Sequence, residues 1–384
     1  MLTRFAVNSY QSPALSLSAQ RVVNARTVKA QQGSRTQTPV FRNPGITSFL
    51  TFTGRIRGAQ RVGSTLVVVA GETAYSVSSS GVSTSLGSLP GSEDAPSAAG
   101  VNESVFLSGG VGYVVDSTVT QITDADFQPA THVQWSDGYF IFLGSDRVFV
   151  SQLNDPLIYD ALAYDSLTWA TRQPISIIAD TRDLIHFMPD AMAIGYNKGT
   201  SPYPFALASD GFIELGCIAP KSPAKGDNTV YWFASDRTVR SLRGNNPVRI
   251  STEPMEQFFA SLAVVDDAYG MFISHAGVFE YVLTFPTAER TFAYNVATEL
   301  WAERETFGST RWTVAGHIEA YGRHFVWSDN RLGYLDAETY TEFGLPQVVT
   351  LTSENLNDGV NWVHFDRVEI DADMGGGLVS GQGA

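Results

Sequence analysis

The stretch TLVVVAGETAYSV, residues 65–77, decides the fold, because it contains a short apolar strand, a turn at Gly71 and a second strand. Six later stretches repeat this pattern, with turns at Gly109–Gly110, Ser145–Asp146, Asp210–Gly211, Ser235–Asp236, Ala276–Gly277 and Asp329–Asn330. The first strand of each pair is nearly all apolar, which predicts burial on both faces of a sheet. The turn residues either tolerate positive φ or bond their own backbone, as hairpins require.

The spacing of these turns predicts the architecture. Turns at residues 71, 109 and 145 lie 38 and 36 residues apart, and those at 236, 276 and 329 lie 40 and 53 apart. Repeats of this length that contain several short strands are typical of β-propeller blades. We therefore predict a mostly-β protein whose propeller-like body of roughly five to seven blades covers residues 46–345, with an insertion near 152–175.

The two ends of the chain differ from this body. Residues 1–45 are rich in Ser, Gln, Asn and Arg and end in the turn signal Pro44–Gly45. This composition predicts an irregular N-terminal arm that wraps or docks. Residues 346–384 are predicted to form a short β extension at the C-terminus.

One helix is predicted near residues 252–264. Ser251 or Thr252 is a suitable N-cap, and two glutamates fall in the first turn. The apolar residues of this stretch follow the spacing of one helix face, and they are Met255, Phe258, Phe259 and Leu262. Such a stripe packs on the body or, as an alternative, enters the groove of a partner.

Charge is distributed unevenly along the chain. The net charge is −14, yet the first acidic residue is Glu72, and nine basic residues precede it. They are Arg4, Arg21, Arg26, Lys29, Arg35, Arg42, Arg55, Arg57 and Arg61. The remaining 16 basic residues face all 39 acidic ones, which gives that part a charge of −23. An acidic body repels DNA, whereas the basic segment can attract an acidic neighbour, a nucleic acid or its own body.

The sequence contains no motif for catalysis or for a cofactor. It has no phosphate loop and no nucleophile elbow, and its six histidines are scattered singly without metal-binding spacing. Cys217 is the single cysteine, so we expect a small buried apolar residue in a protein folded in a reducing cytosol. No apolar run is long enough for a membrane span. These features predict a protein that is not an enzyme and binds no cofactor or metal.

The stretch QLNDPLIYDALAYDSLTW, residues 152–169, shows neither helical nor strand spacing. It holds three aromatic residues, Tyr159, Tyr164 and Trp169. Aromatic side chains bury a large area at low entropy cost and concentrate at interfaces. We interpret the stretch as an excursion from the rim with these aromatics as anchors for a partner, or as a capping loop folded onto its own blade.

Several segments, taken in order, resemble the packaged-DNA stabilisation proteins of short-tailed phages, also called tail accessory factors or tail-hub (nozzle) proteins. The segments are FVSQLNDPLIYDALAY (149–164), FIELGCIAPKSPAKGDNTVYWFASD (212–236), NPVRISTEPMEQFF (246–259), YVLTFPTAERTFAYNVATELWAER (281–304) and VEIDADMGGG (368–377). The N-terminal stretches RVVN (21–24) and PVFRNPGITSF (39–49) fit the opening of the same family. The resemblance is collinear over nearly the whole chain.

This resemblance implies a structural virion protein, made in the host bacterial cytoplasm and located in the phage tail. Such proteins form a ring, typically a hexamer, below the portal and adaptor. They prolong or plug the DNA channel, retain packaged DNA, and hold the tail needle and the tailspikes or fibres. They have no catalytic residues, and relatives are expected to continue into further β structure beyond residue 384.

The charge pattern agrees with a DNA conduit. An acidic wall lets double-stranded DNA pass without specific binding, since a basic wall would gain affinity by counterion release at every phosphate contact. The basic arm then docks on an acidic surface of the adaptor or of a neighbouring subunit through Arg21, Arg26, Lys29 and Arg35. We expect alanine at these four positions to leave the subunit folded and to stop its assembly.

Two functions of other classes remain open on the sequence. A propeller that binds or degrades host glycans would need carboxylates with a Tyr or Arg in the central funnel, and an assay on host polysaccharide tests it. A secreted lectin is disfavoured by the missing secretory signal and the missing disulfides.

Overall fold

The computed structural model describes residues 6–11, 18–30, 38–170 and 172–353. Among them are 35 strands and one helix. The strands before the first blade are β1 (Tyr10–Gln11), β2 (Ala19–Val23), β3 (Ala25–Thr27), β4 (Val40–Arg42) and β5 (Gly45–Thr51).

Five sheets of four antiparallel strands follow in chain order. Blade 1 contains β6 (Ile56–Val62), β7 (Thr65–Ala70), β8 (Thr73–Val77) and β9 (Ser83–Ser88). Blade 2 contains β10 (Ser97–Ala99), β11 (Ser104–Ser108), β12 (Val111–Val115) and β13 (Val119–Gln121). Blade 3 contains β14 (Ala130–Ser136), β15 (Tyr139–Gly144), β16 (Val148–Gln152) and β17 (Asp155–Asp165). Blade 4 contains β18 (Ser176–Asp180), β19 (Asp183–Phe187), β20 (Met192–Asn197) and β21 (Phe205–Ile213). Blade 5 contains β22 (Ala224–Gly226), β23 (Thr229–Phe233), β24 (Val239–Arg243) and β25 (Asn246–Arg249).

The last two sheets include strands from the N-terminal part of the chain. Blade 6 contains β26 (Tyr269–His275), β27 (Val278–Phe285), β28 (Arg290–Asn295) and β29 (Leu300–Glu303), and it is extended by β2 and β1. Blade 7 contains β30 (Gly316–Ala320), β31 (Arg323–Ser328) and β32 (Arg331–Asp336), and its fourth strand is β5. Three short strands close the described chain, β33 (Thr341–Glu342), β34 (Leu345–Pro346) and β35 (Thr350–Thr352).

The seven sheets form a closed ring. Each first strand contacts the first strand of the next blade, from β6 through β10, β14, β18, β22 and β26 to β30, and β30 contacts β6. Since β5 pairs with β32, residues from the two parts of the described chain complete the same blade and close the ring. The prediction of a mostly-β propeller is confirmed, and the body has seven blades.

The core lies between the blades. Seven hydrophobic clusters each join two neighbouring blades, and the one between blades 7 and 1 contains Phe325, Trp327 and Leu332 beside Ile56 and Val68. Second strands such as β7, β11 and β15 are buried on both faces because a blade is covered by a neighbour on each side. The expectation drawn from their all-apolar sequences is therefore confirmed.

Six of the seven predicted hairpin turns lie between strands. The prediction of a turn at Asp210–Gly211 is wrong. Those two residues belong to β21, where the pairing register with β20 shifts between Ala193 and Gly195. The strand accommodates the extra residues as a bulge, which uses the same residue types as a turn.

The predicted helix is α1 (Glu253–Ser261), with Thr252 as N-cap by its backbone angles. It packs in the cluster between blades 5 and 6 through buried Met255 and Phe259. The guanidinium of Arg237 donates to the carbonyl oxygens of Phe259 and Leu262 at the helix C-terminus, at 2.9 and 3.0 Å. In this chain the stripe therefore packs on the body.

Candidate functional site

The N-terminal strand β2 joins the outer edge of blade 6. Val23 pairs with Glu303 of β29 in parallel, and β35 pairs with β2 from the other side. Asn24 follows at φ 55° and donates from Nδ2 to the carbonyl oxygens of Glu305 and Val348, at 2.9 and 2.8 Å. Its Oδ1 accepts from the amide of Glu305 at 2.9 Å. One asparagine thus joins three chain segments.

The first predicted docking residue, Arg21, is bound within its own chain. It donates to both carboxylate oxygens of Glu303, at 3.1 and 2.9 Å, and also binds Glu305. Arg290 binds Glu303 as well, at 2.7 Å, and Glu303 is 3% exposed. We call Arg21, Arg290, Glu303 and Glu305 the arm junction. Burial lowers the pKa of Arg21, but hydrogen bonds and charge from Glu303 and Glu305 outweigh it, so the pKa is raised.

The other three predicted docking residues differ in their surroundings. Arg26 is half-buried and donates from Nη1 to the carbonyl of Arg42 at 3.4 Å. Burial lowers its pKa, and the charges of Arg304 and Arg42 add to that effect against the opposing charge of Glu280. Lys29 is exposed in the connection between β3 and β4. Arg35, in the same connection, lies outside the described residues. Arg21 is therefore bound within its own chain, whereas Lys29 is exposed.

A buried ionic group joins blades 6 and 7 next to the arm. Arg304 forms an ion pair with Glu280, and both side chains are at most 5% exposed. The guanidinium of Arg304 lies 4.6 Å from the ring centre of Trp312, whose Nε1 donates to Glu342 at 3.0 Å. Burial raises the pKa of Glu342, although hydrogen bonds from Gln347 and Trp312 oppose the rise. An ion pair with this little exposure is costly to break, because the remaining charge stays buried without a partner.

The stretch 152–169 is not an excursion from the rim, because residues 155–165 are β17, the outermost strand of blade 3. Tyr159 is 6% exposed and packs against Phe127, Phe142 and Phe149, and its hydroxyl donates to the carbonyl of Pro156 at 2.8 Å. Its own blade therefore binds this tyrosine, which corrects the interpretation of Tyr159 as an exposed anchor.

The other two aromatics of the stretch are half-buried. Tyr164 lies beneath Arg147, with the guanidinium 4.3 Å from the ring centre. Trp169 donates from Nε1 to Asp165 at 2.9 Å and packs edge-on against the ring of His186 at 5.6 Å. Tyr164 packs in the cluster between blades 2 and 3, and Trp169 packs between blades 3 and 4. Both therefore contact their own blade, as the capping interpretation expects.

Four aliphatic side chains in this stretch, which the sequence analysis did not select, are exposed. We call them the aliphatic ridge, and they are Leu153 (54% exposed), Leu157 (40%), Ile158 (50%) and Leu162 (67%). The available signal was a five-residue repeat, DPLIY, DALAY and DSLTW, over residues 155–169. In each unit the aspartate Oδ1 accepts from the amide of the leucine two positions later, at 3.0, 2.9 and 2.8 Å. The repeat sets local turns, and these expose the first two of its leucines.

The described residues show few features of a chemical site. No group of three or more His, Cys, Asp or Glu among them is placed to hold a metal ion. Cys217 is fully buried, as expected, and burial raises the pKa of its thiol to about 11. The helix of the described part of the chain is too short and too polar to cross a membrane.

Comparisons with known proteins identify a matching family and several solved structures that are similar to this chain. The family described as "Bacteriophage P22 Gp10, beta-propeller" matches residues 10–340. The extracellular domain of BT4673 from B. thetaiotaomicron is similar at 8% identity and a TM-score of 0.51, covering 82% of this chain and 46% of that one. BamB from Moraxella catarrhalis is similar at 11% identity and a TM-score of 0.46, covering 83% and 98%. The computationally designed Ika8 protein matches at 12% identity and a TM-score of 0.46, covering 83% and 100%. No curated protein matches the sequence.

Proposed function

Because this chain belongs to the family of the bacteriophage P22 Gp10 β-propeller, we propose that it is a structural virion protein that forms a ring in a phage tail, below the portal and adaptor. There it extends and closes the DNA channel, retains packaged DNA and attaches further tail components. The observation that supports this proposal best is the family match over residues 10–340, since this range contains all seven blades.

The charge of the body supports passage of DNA. Beyond the nine bases that precede Glu72, the chain carries 16 basic and 39 acidic residues. A surface of this sign gives the duplex no counterion-release affinity, so DNA slides past it without binding. We therefore propose transient passage of double-stranded DNA without specific recognition.

The partners follow from the same proposal. We infer a homo-oligomeric ring, a hexamer, that contacts the adaptor and portal on one side and the tailspike or fibre and the tail needle on the other. The protein is made in the host cytoplasm, does not insert into a membrane, and performs no catalysis.

The connection between β3 and β4 is the part of the arm that we propose for docking on the adaptor or a neighbouring subunit. It contains Lys29 and Arg35 and no acidic residue. Lys29 is exposed, whereas Arg21 and Arg26 are engaged within the chain. Of the four arm residues, we therefore propose that Lys29 and Arg35 carry the docking contact.

Retention of DNA in particles tests the function. Particles produced without this protein are incubated with purified wild-type chain, and the DNA that remains protected from nuclease is measured. We expect wild type to restore protection and Lys29→Glu to weaken it. Lys198→Glu, the same change at an exposed lysine of blade 4, serves as the control and should restore protection fully.

Two results would contradict the proposed function. The first is that the wild-type chain fails to bind the particles or to protect their DNA. The second is turnover of host polysaccharide by the purified chain, which would favour the glycan-degrading alternative.

A further inference from the structure

Exposed apolar side chains are concentrated at two places on the described surface. Of the sixteen large hydrophobic residues that are exposed there, nine fall into two groups. The first is the aliphatic ridge, which lies on β17 and on the turn before it. The second, which we call the loop patch, consists of Phe41, Tyr340, Leu345, Val348 and Val349, exposed by 53, 47, 40, 52 and 41%. Exposed apolar side chains that are grouped mark an interaction site more often than isolated exposed residues do.

The aliphatic ridge is held in place by its backbone. Tyr164 pairs with Phe149 and Tyr159 with Ser151, so the four residues 160–163 lie opposite Val150 alone and form a bulge. Leu162 lies in this bulge and, at 67%, is the most exposed large hydrophobic residue of the described part. The bulge is fixed by the hydrogen bond from the Leu162 amide to Asp160. The ridge is therefore ordered before any partner arrives, which lowers the entropy cost of binding.

The charge around the ridge is negative. Asp155 and Asp160 belong to the repeat itself, and Asp124 accepts from the Tyr159 amide at 3.2 Å. The neighbouring cation is Arg147, which pairs with Asp146 and covers Tyr164. A partner for this surface should combine apolar side chains with positive charge.

The loop patch combines these two properties. Its five residues lie on β4 and on the connection after β32, beside blades 6 and 7. Arg42 joins the two parts, because its guanidinium lies 3.8 Å from the ring centre of Tyr340 and donates to the carbonyl of Thr339 at 2.7 Å. Lys29 is exposed and follows β3, the strand that pairs with β4, while Asp336 and Glu338 lie on the side toward blade 7.

We propose that the aliphatic ridge of one copy docks on the loop patch of a second copy. The inference rests on the proposed function and names the surfaces by which its ring closes. Each copy carries both halves on different blades, with Asp155 and Asp160 at the ridge and Lys29 and Arg42 at the β4 side of the loop patch, so the contact is head-to-tail and repeats from copy to copy. Apolar burial supplies the affinity, and the charges at the margin select the orientation.

Disulfide cross-linking tests this contact directly. The one native cysteine, Cys217, is fully buried and gives no background. Leu162→Cys and Phe41→Cys are made singly and together in the full chain, oxidised, and separated without reductant. We expect each single variant alone to stay uncross-linked, an equimolar mixture of the two to give dimers only, and the double variant to give a ladder that ends at the ring size.

The control replaces the ridge cysteine by Val82→Cys, which is 62% exposed on the turn before β9 of blade 1. The yield of disulfide-linked dimer with Phe41→Cys should be at least tenfold lower for Val82→Cys than for Leu162→Cys. A second pair, Leu162→Asp and Val82→Asp, is compared by sedimentation: the first should weaken association at least tenfold, and the second should leave it unchanged.

Specific outcomes overturn the inference. They are self-cross-linking of Leu162→Cys, a link within one chain in the double variant, equal cross-linking by Val82→Cys, or no cross-link at any soluble concentration. If these occur while wild type still protects DNA in particles, the docking surfaces are wrong and the proposed function stands. If wild type fails to protect DNA, the function is wrong whatever the cross-links show.

Discussion

Arg21 donates two hydrogen bonds to Glu303, 282 positions later in the chain, at the place where β2 runs parallel to β29. The carboxylate of Glu303 is buried and also binds Arg290. A residue that the charge pattern assigned to docking is thus part of the subunit's own fold. The alanine test drawn from the sequence would disturb this junction together with any docking surface.

Replacing Arg21 by methionine should lower the free energy of unfolding by about 2 kcal/mol, since buried Glu303 keeps one cation of its two. Arg243→Met is the matched control, because Arg243 pairs with Glu299 at a site where both side chains are more than half exposed. That change should cost less than about 0.5 kcal/mol. Urea unfolding of both variants checks the difference, and equal midpoints would show that the arm junction contributes no stability.

Tyr159→Ala should destabilise the isolated subunit by about 3–5 kcal/mol, because it removes a buried ring from the contact between blades 2 and 3. Tyr164→Ala, in the same strand but half-buried against Arg147, should cost about 1 kcal/mol. Denaturant midpoints of the two variants give the comparison. A subunit with Tyr159→Ala as stable as wild type would restore this tyrosine as an anchor for a partner.

The blades were predictable because each second strand is apolar on both faces and each hairpin needs special turn residues. The run Leu66–Ala70 illustrates the first signal, since it has the length of a strand and is buried throughout. Turns at Gly71, Ser145–Asp146 and Ala276–Gly277 were recognised from residue type alone. Blade number was not predictable, since the spacing of turns varies and β5 completes a blade whose other strands begin only at Gly316.

The interaction surfaces were less predictable, since residue type does not fix exposure. Tyr159 and Leu162 stand three positions apart, yet the tyrosine is 6% and the leucine 67% exposed. A bulge in β17 causes this reversal, and bulges depend on pairing with the neighbouring strand. Arg21 and Arg57 likewise belong to the basic N-terminal segment but are bound by partners that the fold brings from elsewhere.

Arg57 illustrates a buried cation without a carboxylate in hydrogen-bond contact. It is 4% exposed and donates to the carbonyls of Glu93, Gly71 and Leu89 at 2.6, 3.0 and 2.9 Å. It also binds the hydroxyl of Ser108, and so it connects blade 1 with blade 2. Burial lowers the pKa of Arg57, and the nearby charge of Arg55 acts in the same direction.

Arg57→Lys should therefore cost about 3 kcal/mol, because an ammonium group cannot reach the acceptors of a planar guanidinium and leaves buried carbonyls unpaired. Arg55→Lys is the control two positions away, since Arg55 pairs with Asp94 at the surface and should tolerate lysine at a cost below about 1 kcal/mol. Thermal unfolding of both variants measures the difference. Equal melting temperatures would mean that the number of hydrogen bonds at Arg57 has no bearing on stability.

Acid stability should depend on His186, which is 3% exposed and packs against Trp169. Burial lowers the pKa of His186 to about 4 from 6.5, and the nearby charge of Asp165 opposes this only in part. The unfolded chain therefore binds a proton between pH 6.5 and 4 that the folded chain excludes. Neutral His186 makes its full contribution to the free energy of unfolding above pH 6.5. On the order of 3 kcal/mol of this contribution is lost as the pH falls to 4.

His186→Phe removes the titrating group and keeps an aromatic ring of similar size beside Trp169, so stability between pH 4 and 6.5 should fall less steeply than in wild type. Asp146→Asn is the control. The hydrogen bond from Arg147 holds the pKa of Asp146 below 3.8, so its contribution is lost only at lower pH and the slope above pH 4 should not change. Urea unfolding at several pH values gives both slopes. A slope in His186→Phe identical to that of wild type would show that this histidine is not excluded from protonation by the fold.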